Sequence, residues 1–190
     1  YSGTFDGNNK TVSGLYFNGD STCIGLFGSS ESDGNIKNVG VVDSYFKGND
    51  SVGGVCGNNA GTITNCYNAG NLTAIESSAT IGGICGYNNG GTVTNCYNTG
   101  TVTATGSAAS VGGVCGCSIE LISNCYNIGT VTATGSDADI SGICGYNFGP
   151  IKNCYYLADT EDEDGGKTTA QFASGEVAYL LSQGCTVGEL

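Results

Sequence analysis

Residues 52–70 read VGGVCGNNAGTITNCYNAG, and the string returns with small changes in three further copies. Val52, Ile81, Val111 and Ile140 open the four copies at offsets of 29, 30 and 29 residues, and Ile63, Val93, Ile122 and Ile151 open their second halves at 30, 29 and 29. Two earlier, degenerate copies precede them: CIGLFG from Cys23, and IKNVGVVDSYF from Ile36, which is offset by 27 from Ile63. The variable length falls in small, polar stretches at 74–80, 104–110 and 133–139, which read as loops.

A repeat of this length is one supersecondary unit stacked on its neighbours. The chain has 34 Gly in 190 residues, which excludes a helical bundle for most of its length, because each interior Gly costs a helix about 1 kcal/mol. Three short β-like stretches are read per unit, near residues 52–56, 62–67 and 71–73, joined by bends. One such coil cannot bury its apolar side, but coils stacked at about 4.8 Å can, and parallel crossovers are overwhelmingly right-handed. The expected fold is therefore an all-β, right-handed parallel β-solenoid of about 29 residues per coil, covering residues 1–156.

Stacking places like residues above one another in columns. The Val and Ile columns are core. Asn65, Asn95, Asn124 and Asn153 form a column beside a bend, where Asn tolerates left-handed backbone angles and its amide can bond the next amide; an inward ladder is expected. A row that binds glycans or metal is the sharper alternative. Eight of the eleven Cys fall in two columns, Cys56, Cys85, Cys115, Cys144 and Cys66, Cys96, Cys125, Cys154. Phe27 and Val39 hold equivalent places, so these slots read as apolar and the thiols as small buried hydrophobes; disulfides between the two columns of one coil are the alternative. Tyr67, Tyr97, Tyr126 and Tyr155 form a fourth column, which either covers the shoulder of the solenoid or offers rings to sugars.

After Tyr156 the pattern stops. DTEDEDGG from Asp159 reads as a solvated acidic loop whose spacing does not fit an EF-hand. Thr168 and Gln171 are placed to form a capping box opening a helical stretch with Phe172, Val177, Leu180 and Leu181 as its apolar members. Residues 157–190 are thus expected to be an acidic loop plus a short helical cap on the stack.

Charge and composition narrow the function. The net charge is -12, which repels nucleic acid and anionic lipid headgroups. There is no His, and no run of about 20 apolar residues for a membrane span. No cofactor is expected. Between residues 51 and 150 there is no Lys or Arg, and the acids are Glu76, Glu120, Asp137 and Asp139, from which neither a lyase site nor a facing pair of carboxylates can be assembled. Rows such as Thr101 and Thr103 above Thr130 and Thr132 admit an ice-binding reading, with weak support because Thr is ordinary in strands.

The string Gly-Gly-Val/Ile-Cys-Gly followed by Thr-Asn-Cys-Tyr resembles the GLUG-motif repeats of bacterial surface and adhesin-like proteins and of non-catalytic parts of immunoglobulin A peptidases, over residues 4–156. GLFG at residues 25–28 is nearest to that family's Gly-Leu-Val-Gly core, and the later copies depart from it by carrying Cys. The resemblance implies an extracellular, secreted or cell-surface location, flanking domains in a larger parent chain, a non-catalytic adhesive or spacer role, and a host or matrix protein or glycan as partner.

Overall fold

The computed structural model describes residues 1–159, 161–162 and 164–184, and these form a parallel β-solenoid of five complete coils. Each coil carries three to five strand segments, because the long second one is divided in the later coils. In the third coil they are Thr62–Thr64, Tyr67–Ala74, Thr80–Gly82 and Cys85–Asn88. The last two segments of successive coils build two five-stranded sheets, and the segments before them join a 14-stranded sheet. Pairing is parallel and in register, with Ile24, Val52, Ile81, Val111 and Ile140 above one another in one column and Ile36, Ile63, Val93, Ile122 and Ile151 in another.

One expectation is corrected by this geometry. Residues 52–56 are not a single stretch: the strand Ser51–Gly53 ends, the chain turns a corner at Gly54 and Val55, and a new strand runs Cys56–Asn59. The glycine pair makes the corner possible. A Cβ on Gly54, Gly83 or Gly113 would stand 2.5, 2.4 and 2.4 Å from the amide carbon of Asn68, Asn98 and Asn127, so the second Gly of these three copies is the space into which an Asn side chain fits.

The core divides into two clusters. One holds both Cys columns with Val55, Ile63, Ile84 and Val93, and the other holds Val52, Leu72, Ile81 and Val102 with their copies. Full burial of each Val or Ile stabilises the stack by roughly 1.5–3 kcal/mol. Val39 lies in the cluster that holds the thiols and Phe27 packs against it, as their alignment with Cys66 and Cys56 requires.

At the amino end the strand Thr4–Ser13 pairs with the next coil on both sides of a break between Asp6 and Lys10, where Asn8 and Asn9 have positive φ. At the carboxyl end the strand Tyr155–Leu157 accepts one more, Gly166–Lys167. Two helices follow, α1 (Thr169–Ser174) and α2 (Glu176–Gly184). The Thr168/Gln171 capping box is present, and Gly175 in the left-handed conformation ends α1. The helices do not lie across the end of the stack. They seat on its flank, where the ring of Phe172 meets Tyr126 at 6.3 Å and the side-chain amides of Asn124 and Asn153 donate to the carbonyls of Gly184 and Leu181. Thr160, Glu163 and residues 185–190 of the expected acidic loop and tail lie outside the described residues.

Candidate functional site

The strand Tyr67–Ala74 alternates: Asn68, Gly70, Leu72 and Ala74 are buried, while Tyr67, Ala69, Asn71 and Thr73 face outward. In-register pairing repeats that outward set as Tyr97, Thr99, Thr101, Thr103 and again as Tyr126, Ile128, Thr130, Thr132. The result is a flat wall, bordered on one side by the tyrosines, and it is the most regular face of the molecule.

The tyrosine rings lie on one another. Tyr67 and Tyr97 stack at 4.8 Å and 2°, and Tyr97 and Tyr126 at 4.9 Å and 4°. Tyr67 rests on Gly40, where a Cβ would come 2.2 Å from its Cζ. The faces of the inner rings are therefore spent on each other, and their edges and hydroxyls face outward. Burial and the neighbouring phenol raise the pKa of Tyr97 and Tyr126. Tyr155 stands in the same column and donates to Oδ1 of Asn153 at 3.0 Å.

The asparagine column lies elsewhere than expected. Asn65, Asn95, Asn124 and Asn153 do adopt left-handed backbone angles, with φ of 52–55°, but they sit at an outer corner. There Asn65 donates to Asn38 and Asn153 to Asn124. Two ladders that the repeat did not single out run inside instead. In one, Asn68 donates to Asn98 at 2.9 Å and Asn98 to Asn127 at 2.8 Å; in the other, Asn59 donates to Asn88 at 2.8 Å and Asn88 to Ser118 at 3.0 Å. The signal was present as Asn-x-Gly at residues 68–70, 98–100 and 127–129, because the Asn also bonds the backbone of the Gly two residues on.

The two Cys columns are buried, and every described cysteine is a free thiol. Cys85 pairs in register with Cys56 and Cys115, so like thiols of successive coils stand above one another. Burial pushes the thiols of Cys56, Cys96, Cys115 and Cys125 well up and that of Cys144 up to about 12; for Cys66 the contact with the Cys96 thiol is the largest cause. Such thiols are poor nucleophiles and poor metal ligands. Among the described residues no three His, Cys, Asp or Glu come together as a metal site, and no helix is long and apolar enough to cross a membrane. Glu76 accepts from Asn49 in the loop before the strand Thr80–Gly82, and the exposed Asp139 opens the equivalent strand two coils later.

Residues 77–103 match the family model of the GLUG motif. Over 89 residues the chain is 35% identical to Halomucin of Haloquadratum walsbyi (strain DSM 16790 / HBSQ001), an alignment that takes in 45% of this chain and 1% of Halomucin. The chain therefore spans about one hundredth of the curated relative it matches. Among solved structures it is similar to a candidate immunoglobulin A1 protease from Bacteroides ovatus, with a TM-score of 0.65 at 20% identity over 92% of this chain and 72% of that one. The likeness concerns the fold. Together the matches describe a GLUG motif within a fold that has a solved counterpart.

Proposed function

We propose that this chain is a non-catalytic spacer of a secreted or cell-surface protein, holding neighbouring parts at a fixed distance and presenting its flat wall to the surroundings. The observation that carries the reading is how polar groups are used. In the inner coils the Asn ladders bond their own copies, the tyrosine faces stack on each other, and the thiols are buried, so little remains to do chemistry. A stack of identical coils is stiff along its axis and lengthens by about 4.8 Å per coil. That is what a spacer needs.

A second copy of residues 93–121 inserted after Leu121 supplies one more coil in register. Small-angle scattering should show the long dimension growing by about 4.8 Å, with an unchanged strand signal in circular dichroism. An unchanged or shorter particle would remove the spacer reading, and turnover of a uronic-acid polymer would remove the non-catalytic one.

A glycan-binding face is the second reading. It is favoured by the phenol edges of Tyr67 and Tyr97, which the helices leave uncovered beside the Asn71 and Thr101 rows. Binding on a glycan array that disappears in Tyr67→Ala and Tyr97→Ala would support it.

A further inference from the structure

In the second, third and fourth coils, two consecutive amides at the glycine corner donate to one carbonyl of the coil that follows. Val55 and Cys56 reach Ile84 O at 3.0 and 3.1 Å, Ile84 and Cys85 reach Val114 O at 2.9 and 3.1 Å, and Val114 and Cys115 reach Ile143 O at 2.9 and 3.0 Å. In the fifth coil the strands Asp139–Ser141 and Cys144–Asn147 are the last of their sheets among the described residues, which place no following carbonyl over Ile143 and Cys144. Both amides turn to the hydroxyl of Ser141, at 3.2 and 3.3 Å.

Position 141 is glycine in the earlier coils, and it has to be. A Cβ on Gly53 or Gly82 would come 2.1 and 2.3 Å from the carbonyl oxygen of Cys56 and Cys85 in its own coil, and 2.8 and 2.5 Å from the Cα of Cys85 and Cys115 in the next. At the last coil the next-coil obstacle is gone among the described residues, and there the Ser141 hydroxyl replaces the missing acceptor.

Two more departures from the repeat fall on the same ledge. Tyr156 stands in the column of Asn68, Asn98 and Asn127, and its ring covers Gly142, where a Cβ would come 2.1 Å from its Cγ. Its hydroxyl is held by Asp162. Asp139 stands where inner coils carry Ser51, Thr80 and Ser110, and it puts an exposed charge on the outermost strand. Charge on an edge is a recurrent device against strand addition.

We propose that Ser141, Tyr156 and Asp139 form an edge cap that ends the stack and keeps a second copy of this chain from adding a strand to it. Ile140 shows why a cap is needed. It is 52% exposed while Val52, Ile81 and Val111 of its column are fully buried, so the ledge is apolar as well as rich in unpaired backbone groups.

Amide exchange by nuclear magnetic resonance tests the cap on the full chain, with sedimentation as the second measurement. The Ile143 and Cys144 amides should exchange about tenfold faster in Ser141→Gly than in the parent and return toward parent rates in Ser141→Thr, whose hydroxyl can take the same bonds. The double variant Asp139→Ser/Ser141→Gly, which keeps Tyr156 and every core side chain, should associate as its concentration rises while the parent remains monomeric. Unchanged exchange in Ser141→Gly overturns the proposal, as does a folded double variant that stays monomeric or a parent that associates equally. Ser141→Ala stands in if the glycine variant fails to fold, with the same exchange outcomes deciding.

Discussion

Asn98 shows how one residue type is worth different amounts at different places. Its side chain accepts from Asn68 and the Gly100 amide and donates to Asn127 and the Gly100 carbonyl, all in a site closed to water. Removing it orphans partners on both neighbouring coils, at roughly 1–3 kcal/mol per buried unsatisfied group. Asn98→Ala should therefore lower stability in urea unfolding by about 3 kcal/mol. Asn95→Ala gives up a left-handed backbone preference and contacts at an outer corner, where water can take over, and should cost only about 1 kcal/mol; equal losses would contradict the assignment of the ladder. The cysteines behave as apolar filler at the same scale. Cys96→Val should cost less than about 1.5 kcal/mol, and thiol reagents should leave the eight column cysteines unmodified until denaturant is added.

The helical hairpin is the element that differs most from the rest in how it is held. Its entry depends on ionic contacts: Lys167 pairs with Glu161 and Glu176, and Asp162 accepts from Tyr156 and from the Gly166 amide. The bond from Lys167 holds the Glu161 carboxyl below its ordinary 4.5, and the bond from Tyr156 holds Asp162 below 3.8. A carboxyl whose folded pKa is depressed stabilises fully above its unfolded value and loses that contribution as pH falls through the folded one. Below pH about 4 the hairpin should loosen while the stack persists, because few titratable groups tie its inner coils together. Limited proteolysis with an acid-active protease, compared between pH 3 and pH 7, reads this out: early cleavage within residues 158–175 is expected at pH 3, and simultaneous loss of the stack would contradict it.

Alkali probes the whole molecule in the opposite direction. Cys56, Cys66, Cys96, Cys115, Cys125 and Cys144 all have thiol pKa values raised above 9.0. The folded chain keeps those protons after the unfolded chain has begun to lose them, so stability is flat below pH 9 and falls as pH rises above it, by about 1.4 kcal/mol per thiol per pH unit. Several thiols act together, so the thermal midpoint should drop steeply above pH 9. In a Cys66→Val/Cys96→Val variant that drop should be visibly shallower, and an identical pH profile would show that the buried thiols do not govern it. The same burial in register gives the stack its stiffness, since each coil contacts only its neighbours and all contacts are copies.

Much of this was legible in the chain because a repeat constrains itself. Offsets of 29 and 30 residues fix which side chains touch, and hydrophobic Val and Ile columns can be satisfied only by stacking, so the solenoid, its register and its core followed from spacing alone. The capping box was equally local. What needed coordinates was direction. Asn65 and Asn68 recur with the same period, and only the left-handed bend at Asn65 decides that the chain alternates afterwards with Cys66 and Asn68 inward and Tyr67 outward. The side on which the helices rest, and the task of Ser141 at the last glycine place, likewise depend on what lies above a residue in space, which no periodicity records at the end of a stack.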